Sequence, residues 1–189
     1  MITDSKMDNQ KPVIYHEKQS KQLCALHTLN NLFQKPDAFT KSQLDELCLR
    51  LSPGNWINPH RSMFGLGNYD VNVVMAALQT AQCDLVWWDK RRKITQSDVE
   101  KTFGLILNLP SPSRVAGLFV PFHKTKHWVG IRKFGSVYYN LDSKLSSPEP
   151  IGDSVQLSEY LTKHLSENDC ELFLVTSSKQ CTLVKEEDI

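Results

Sequence analysis

Partway along the chain the spacing of its apolar residues changes, and that change limits the folds open to it. From Leu23 to Gln79 the apolar residues recur every three to four positions; from Asp84 to Val175 most of them come in short, dense runs. The first pattern makes one face of an amphipathic helix, and the second makes buried strands. Leu23, Leu26, Leu29, Leu32 and Phe33 predict a first helix with Ser20 as its N-cap. Thr40 caps a predicted second helix with Leu44, Leu47, Cys48 and Leu51 turned inward, stopped at Pro53-Gly54. A loop rich in Pro, Gly and Asn follows, from about Ser52 to Asn68, and Asp70 then caps a third helix over 71–79. Asp84–Trp88, Leu105–Leu109 (closed by Pro110), Trp128–Phe134, Val137–Leu141 and Glu171–Val175 read as strands, with a helix over 155–165. Helices first and mostly antiparallel strands afterwards give an α+β class.

With 189 residues the chain suits one domain. Residues 1–12 and the end from residue 177 read as flexible polar segments on either side of a domain over 13–176. Net charge is +1, which gives no support to a nucleic-acid partner. No apolar run approaches the roughly 20 residues of a membrane span. The N-terminus carries no signal-peptide pattern. The five cysteines form no C-x-x-C pair and suggest neither a metal site nor a disulfide framework. A monomer with free thiols in a reducing, cytoplasmic setting, without cofactor or metal, is expected.

Cys24 falls in the first turn of the first predicted helix, where unpaired N–H groups favour a thiolate. The same position suits a small buried core residue. His127 opens a predicted strand, placed for proton exchange or simply at the surface. If Phe134-Gly135 is a two-residue turn, Lys133 faces Ser136 and His127 faces Asp142, whose carboxylate would orient the imidazole. A slip of one residue would turn Asp142 to the other face, and Asn140, of equal parity, is the reserve candidate. Nucleophile on a helix, base on a strand and orienting group on the neighbouring strand is a papain-type order. Gln19, five residues before Cys24, is a candidate oxyanion donor together with the Cys24 N–H, or else a solvated residue. His27, one turn after Cys24, is a rival base but reads better as helix packing. His16, His60, His123 and His164 show no partner pattern; Cys48 and Cys83 read as core, and Cys181 as a tail thiol. Gly65 and Gly67 are turn residues rather than a phosphate loop, and Lys90–Lys93 reads as a solvated basic run more readily than as a site for an acidic partner.

Tyr15–Gln19, Leu23–His27 and Leu29–Leu32, followed by Gly67–Val73, Lys126–Trp128 and Tyr139–Ser143, together resemble the Josephin family over about residues 14–176. The likeness is greatest to its short stand-alone members. That resemblance implies a papain-like cysteine protease fold of Josephin type, with N-terminal helices packed on a mainly antiparallel sheet. It implies a deubiquitinase acting on ubiquitin and ubiquitinated proteins, with Cys24 as nucleophile, His127 as base and Gln19 as oxyanion donor. Asp142 stands at a position that is Asn in some members. Two other functions fit the same residues: a ubiquitin-binding module of little activity, and a hydrolase for another ubiquitin-like modifier.

Overall fold

The computed structural model describes residues 12–53, 58–60, 67–115, 118–167 and 169–177, with no side-chain description over 112–125. The flexible segments expected at 1–12 and beyond 177 fall almost wholly outside the described residues, as do Gly65 and Cys181. In chain order the elements are α1 (Cys24–Phe33), α2 (Lys41–Leu51), α3 (Val71–Thr80), β1 (Cys83–Trp87), α4 (Gln96–Glu100), β2 (Gly104–Val115), β3 (Leu118–Phe134), β4 (Val137–Asn140), β5 (Glu149–Gly152), α5 (Ser154–Glu167) and β6 (Glu171–Ser177). The strands form one antiparallel sheet of order β1-β6-β2-β3-β4-β5.

Side chains on a strand alternate between the two faces of the sheet, and β2 shows both destinations. Ile106 joins a core with α1, α2 and α3, whereas Leu105 and Leu107 join Leu157 and Leu161 of α5 on the other face. Each such fully buried side chain contributes about 1.5–3 kcal/mol relative to exposure. Helix α1 is buried along its whole length because it lies between β3 and the other N-terminal helices. Its approach to the sheet is close: a Cβ on Gly104 would lie 2.6 Å from Leu32 Cδ1.

The expected caps of α2 and α3 are present. Thr40 and Gln43 form a reciprocal capping box, and the Asp70 carboxylate accepts from the Asn72 and Val73 amides. Leu44 and Cys48 point inward as expected, but Leu51 is 41% exposed at the last residue of α2. Ser20 does not cap α1: the N-cap is Leu23, without a side-chain bond, so the helix starts on Cys24 itself. Nor does Pro110 end β2. Pairing with β6 stops at Asn108, so Pro110 and Pro112 lie where the outer edge of β2 is free and a missing N–H costs no ladder bond. Two short elements have no periodicity long enough to predict, α4 and the edge strand β5.

The β3–β4 turn differs from the predicted one. Phe134 pairs with Val137, so Gly135 and Ser136 form the turn and Gly135 takes φ +60°. Lys133 therefore faces Tyr138 instead of Ser136. The register moves by two residues, which preserves the parity of β4 as far as Asn140.

Candidate active site

Cys24 is 3% exposed and opens α1, where its own N–H has no acceptor within the helix. The chain reaches it through Lys21, whose left-handed φ of 55° turns the backbone back toward Gln22. Gln22 then pairs with Gly67, and its carbonyl accepts from the Asn68 amide at 2.9 Å. Gly67 is required here, because at φ +115° a Cβ would lie 2.1 Å from the Gln22 carbonyl oxygen. The glycine read as a turn residue thus also clamps the entrance of α1.

His127, on β3, is 4% exposed. Its Nε2 lies 2.6 Å from Asp142 Oδ1, which also accepts from the Lys144 amide at 2.8 Å. An ionised carboxylate only accepts, so Nε2 carries a proton. The Cys24 thiol lies near enough to the imidazole to favour its charged form, and Nδ1 is the nitrogen left to face it. Burial works against the imidazolium and is the largest single influence on His127, but Asp142 and Cys24 together outweigh it and raise its pKa. Burial likewise opposes the Asp142 carboxylate, yet bonds from His127 and the Lys144 amide hold its pKa below the usual range.

The structure therefore brings Cys24, His127 and Asp142 together. Asn140 does not touch the imidazole; its Oδ1 accepts from the Asp142 amide at 2.9 Å and shapes the turn that presents the carboxylate. Asp142 has left the ladder, whose last bond runs from the Leu141 amide to the Gly130 carbonyl at 2.8 Å. Gln19 is tied to the same turn: its amide donates to the Ser143 carbonyl at 2.7 Å. One side-chain N–H of Gln19 goes to the Lys21 carbonyl at 3.0 Å, and its Oε1 is buried without a hydrogen-bond partner among the described residues.

A cavity of about 390 Å³ adjoins Cys24, walled by Asn68, Tyr69, Asp70, Trp87 and Trp128. Trp128 serves both core and wall: its ring packs on Phe173, and its Nε1 donates to the Tyr69 carbonyl at 2.9 Å. Several polar residues here were not predicted. Asn108, 6% exposed, also lines the cavity and donates to Glu171 at 3.3 Å, while its Oδ1 has no partner among the described residues. Its parity with Ile106 on β2 was the available signal. His60 does have a partner, Asp70, at 2.8 Å. His27 is no rival base, since Glu17 and Ser20 occupy both of its ring nitrogens. Among the described residues no group of three or more His, Cys, Asp or Glu is arranged to hold a metal, and no helix is long and apolar enough to cross a membrane.

Known proteins share this arrangement of segments. The chain is 51% identical over 164 residues to a Josephin-like protein of Drosophila melanogaster, covering 86% of this chain and 73% of that protein. It is 47% identical over 168 residues to human Josephin-2, covering 89% and 88%. Human Ataxin-3 is more distant, 26% identical over 164 residues that span 75% of this chain and 40% of Ataxin-3. The family model for Josephin matches residues 19–176, which takes in the Gln19 loop, the thiol–imidazole pair and the sheet through β6. On that match and those identities, with an α+β fold of the papain-like kind, the chain belongs to the Josephin family.

Proposed function

We propose that this chain is a thiol-dependent deubiquitinase that hydrolyses the peptide or isopeptide bond after the C-terminal glycine of ubiquitin, working as a cytoplasmic monomer. The observation that carries the reading is the locked imidazole: Asp142 holds Nε2 at 2.6 Å and leaves Nδ1 for the Cys24 thiol. Nδ1 takes the proton from Sγ, and the imidazolium is steadied by the Asp142 carboxylate. The thiolate attacks the glycine carbonyl carbon. The oxyanion forms against the Cys24 N–H and the second side-chain N–H of Gln19. Nδ1–H then protonates the departing lysine amine, leaving a thioester between Cys24 and ubiquitin. His127 next deprotonates water, which attacks the thioester, and the thiol regains its proton as ubiquitin leaves.

Membership of the Josephin family supports this substrate, and the cavity beside Cys24, walled by Trp87 and Trp128, gives the end of such a chain a place to lie. The test is steady-state cleavage of isopeptide-linked diubiquitin and of ubiquitin fused to a fluorogenic amine. Turnover that Cys24→Ala and His127→Ala both abolish supports the proposal. Comparable turnover in Cys24→Ala removes the nucleophile, and preference for another ubiquitin-like protein removes the substrate.

A further inference from the structure

A second imidazole–carboxylate pair, outside the reacting groups, joins α1 to the segment before it. The Glu17 carboxylate is 2.6 Å from His27 Nδ1, and it also accepts from Tyr15 Oη at 2.5 Å and Asn30 Nδ2 at 3.0 Å. His27 Nε2 accepts from the Ser20 amide at 3.2 Å, so the ring proton sits on Nδ1 and faces Glu17. Burial raises the Glu17 pKa most, but the bonds from His27, Tyr15 and Asn30 more than offset it and hold it low. Glu17 and Ser20 bracket Gln19, whose own amide is pinned to Ser143. The left-handed Lys21 then aims its carbonyl at one side-chain N–H of Gln19, fixing the amide plane and leaving the other N–H unspent.

We infer that Glu17 and His27 are positioning residues for the oxyanion donor: they hold the Gln19–Ser20 segment against α1 so that the Gln19 amide is set before substrate arrives. The inference rests on the proposed role of Gln19. A half-buried carboxylate and a buried histidine are costly to keep merely to anchor a short loop. Electrostatic stabilisation of an oxyanion, by contrast, depends on donors that need no reorganisation during reaction.

Two reactions of Cys24 separate this role from a structural one. Hydrolysis of the ubiquitin amide passes through an oxyanion. Alkylation by iodoacetamide does not: Sγ displaces iodide as the C–S bond forms and the C–I bond breaks. His27→Gln keeps an acceptor for the Ser20 amide near Nε2, while His27→Asn keeps only a donor to Glu17 near Nδ1. Losing a placed oxyanion donor costs about 10²–10³ in kcat, so His27→Asn should lose about tenfold or more in kcat. KM and the alkylation rate should stay within about twofold, and His27→Gln should recover most of the kcat. In a Gln19→Ala background His27→Asn should cost nothing further. Parallel loss of alkylation, equal kcat in His27→Gln and His27→Asn, or full additivity with Gln19→Ala would overturn the inference. An unsubstituted protein whose Cys24 alkylates no faster than Cys48 would overturn the thiol–imidazole reading instead.

Discussion

Asp142→Ala and Asp142→Asn make a graded test of the third catalytic position. Asp142 Oδ1 serves two donors, His127 Nε2 at 2.6 Å and the Lys144 amide at 2.8 Å. A hydrogen bond to a charged group contributes about 1.5–3 kcal/mol. At about 1.4 kcal/mol per factor of ten, Asp142→Ala should lower kcat/KM by roughly ten- to 150-fold. Asparagine can present its amide oxygen or its NH₂ to the imidazole, and the NH₂ would impose the wrong tautomer. The Lys144 N–H decides between them, because it needs an acceptor at the same atom that faces His127. The variant should therefore keep the tautomer and a neutral bond of about 0.5–1.5 kcal/mol, losing roughly five- to tenfold. Its His127 pKa should fall, because the Asp142 carboxylate is part of what raises it. The assay is kcat/KM against pH with the ubiquitin amide, alongside thermal unfolding. Wild-type rates in Asp142→Ala would show that Asp142 does not act through His127, and equal losses in Asp142→Asn and Asp142→Ala with folding intact would show that the Lys144 N–H does not set the amide's orientation.

Asp142 and Glu17 are both held below the usual carboxylate pKa, so each contributes stability above its unfolded value that is lost as pH falls through its folded value. Urea unfolding at successive pH values below about 4 should show a shallower decline in Asp142→Asn than in wild type; equal slopes would count against a depressed carboxylate. Gly67→Ala drives a Cβ to 2.1 Å from the Gln22 carbonyl, so it should cost at least about 2 kcal/mol and impair turnover through the entrance of α1; an unchanged melting temperature would contradict the clamp. Asn108→Leu removes a buried acceptor without a partner at the expense of one 3.3 Å bond to Glu171, and should raise the unfolding free energy by about 1 kcal/mol. A loss of that size in urea titration would show that the oxygen is satisfied.

Local chemistry made much of the fold legible. Thr40 and Asp70 announce their helices because each can accept from amides that the helix leaves unpaired. Leu105–Leu109 and Glu171–Val175 announce strands because both faces of those strands are buried. Asp142 was found through a turn placed one residue away from the real one; the register slipped by two, which keeps parity along β4, and Asp142, just past the ladder, still reaches His127. Ser20 failed as a cap because α1 starts only at Cys24, after Leu23; its amide instead reaches His27 within that helix, a pairing no local pattern encodes. Pro110 misled because a strand can run past its neighbour and become an edge. Glu17–His27, Gln22–Gly67 and Asn108–Glu171 are contacts between segments, and no hydrophobic period marks them.

If Cys24 is the nucleophile and ubiquitin the acyl donor, the bond between them can be trapped. The most direct measurement is intact mass after incubation with ubiquitin carrying a thiol-reactive electrophile at its C-terminus. One added ubiquitin is expected on the unsubstituted protein, none on Cys24→Ala, and a strongly slowed addition on His127→Ala. An adduct that persists in Cys24→Ala, or no adduct on a folded unsubstituted protein, would contradict that expectation.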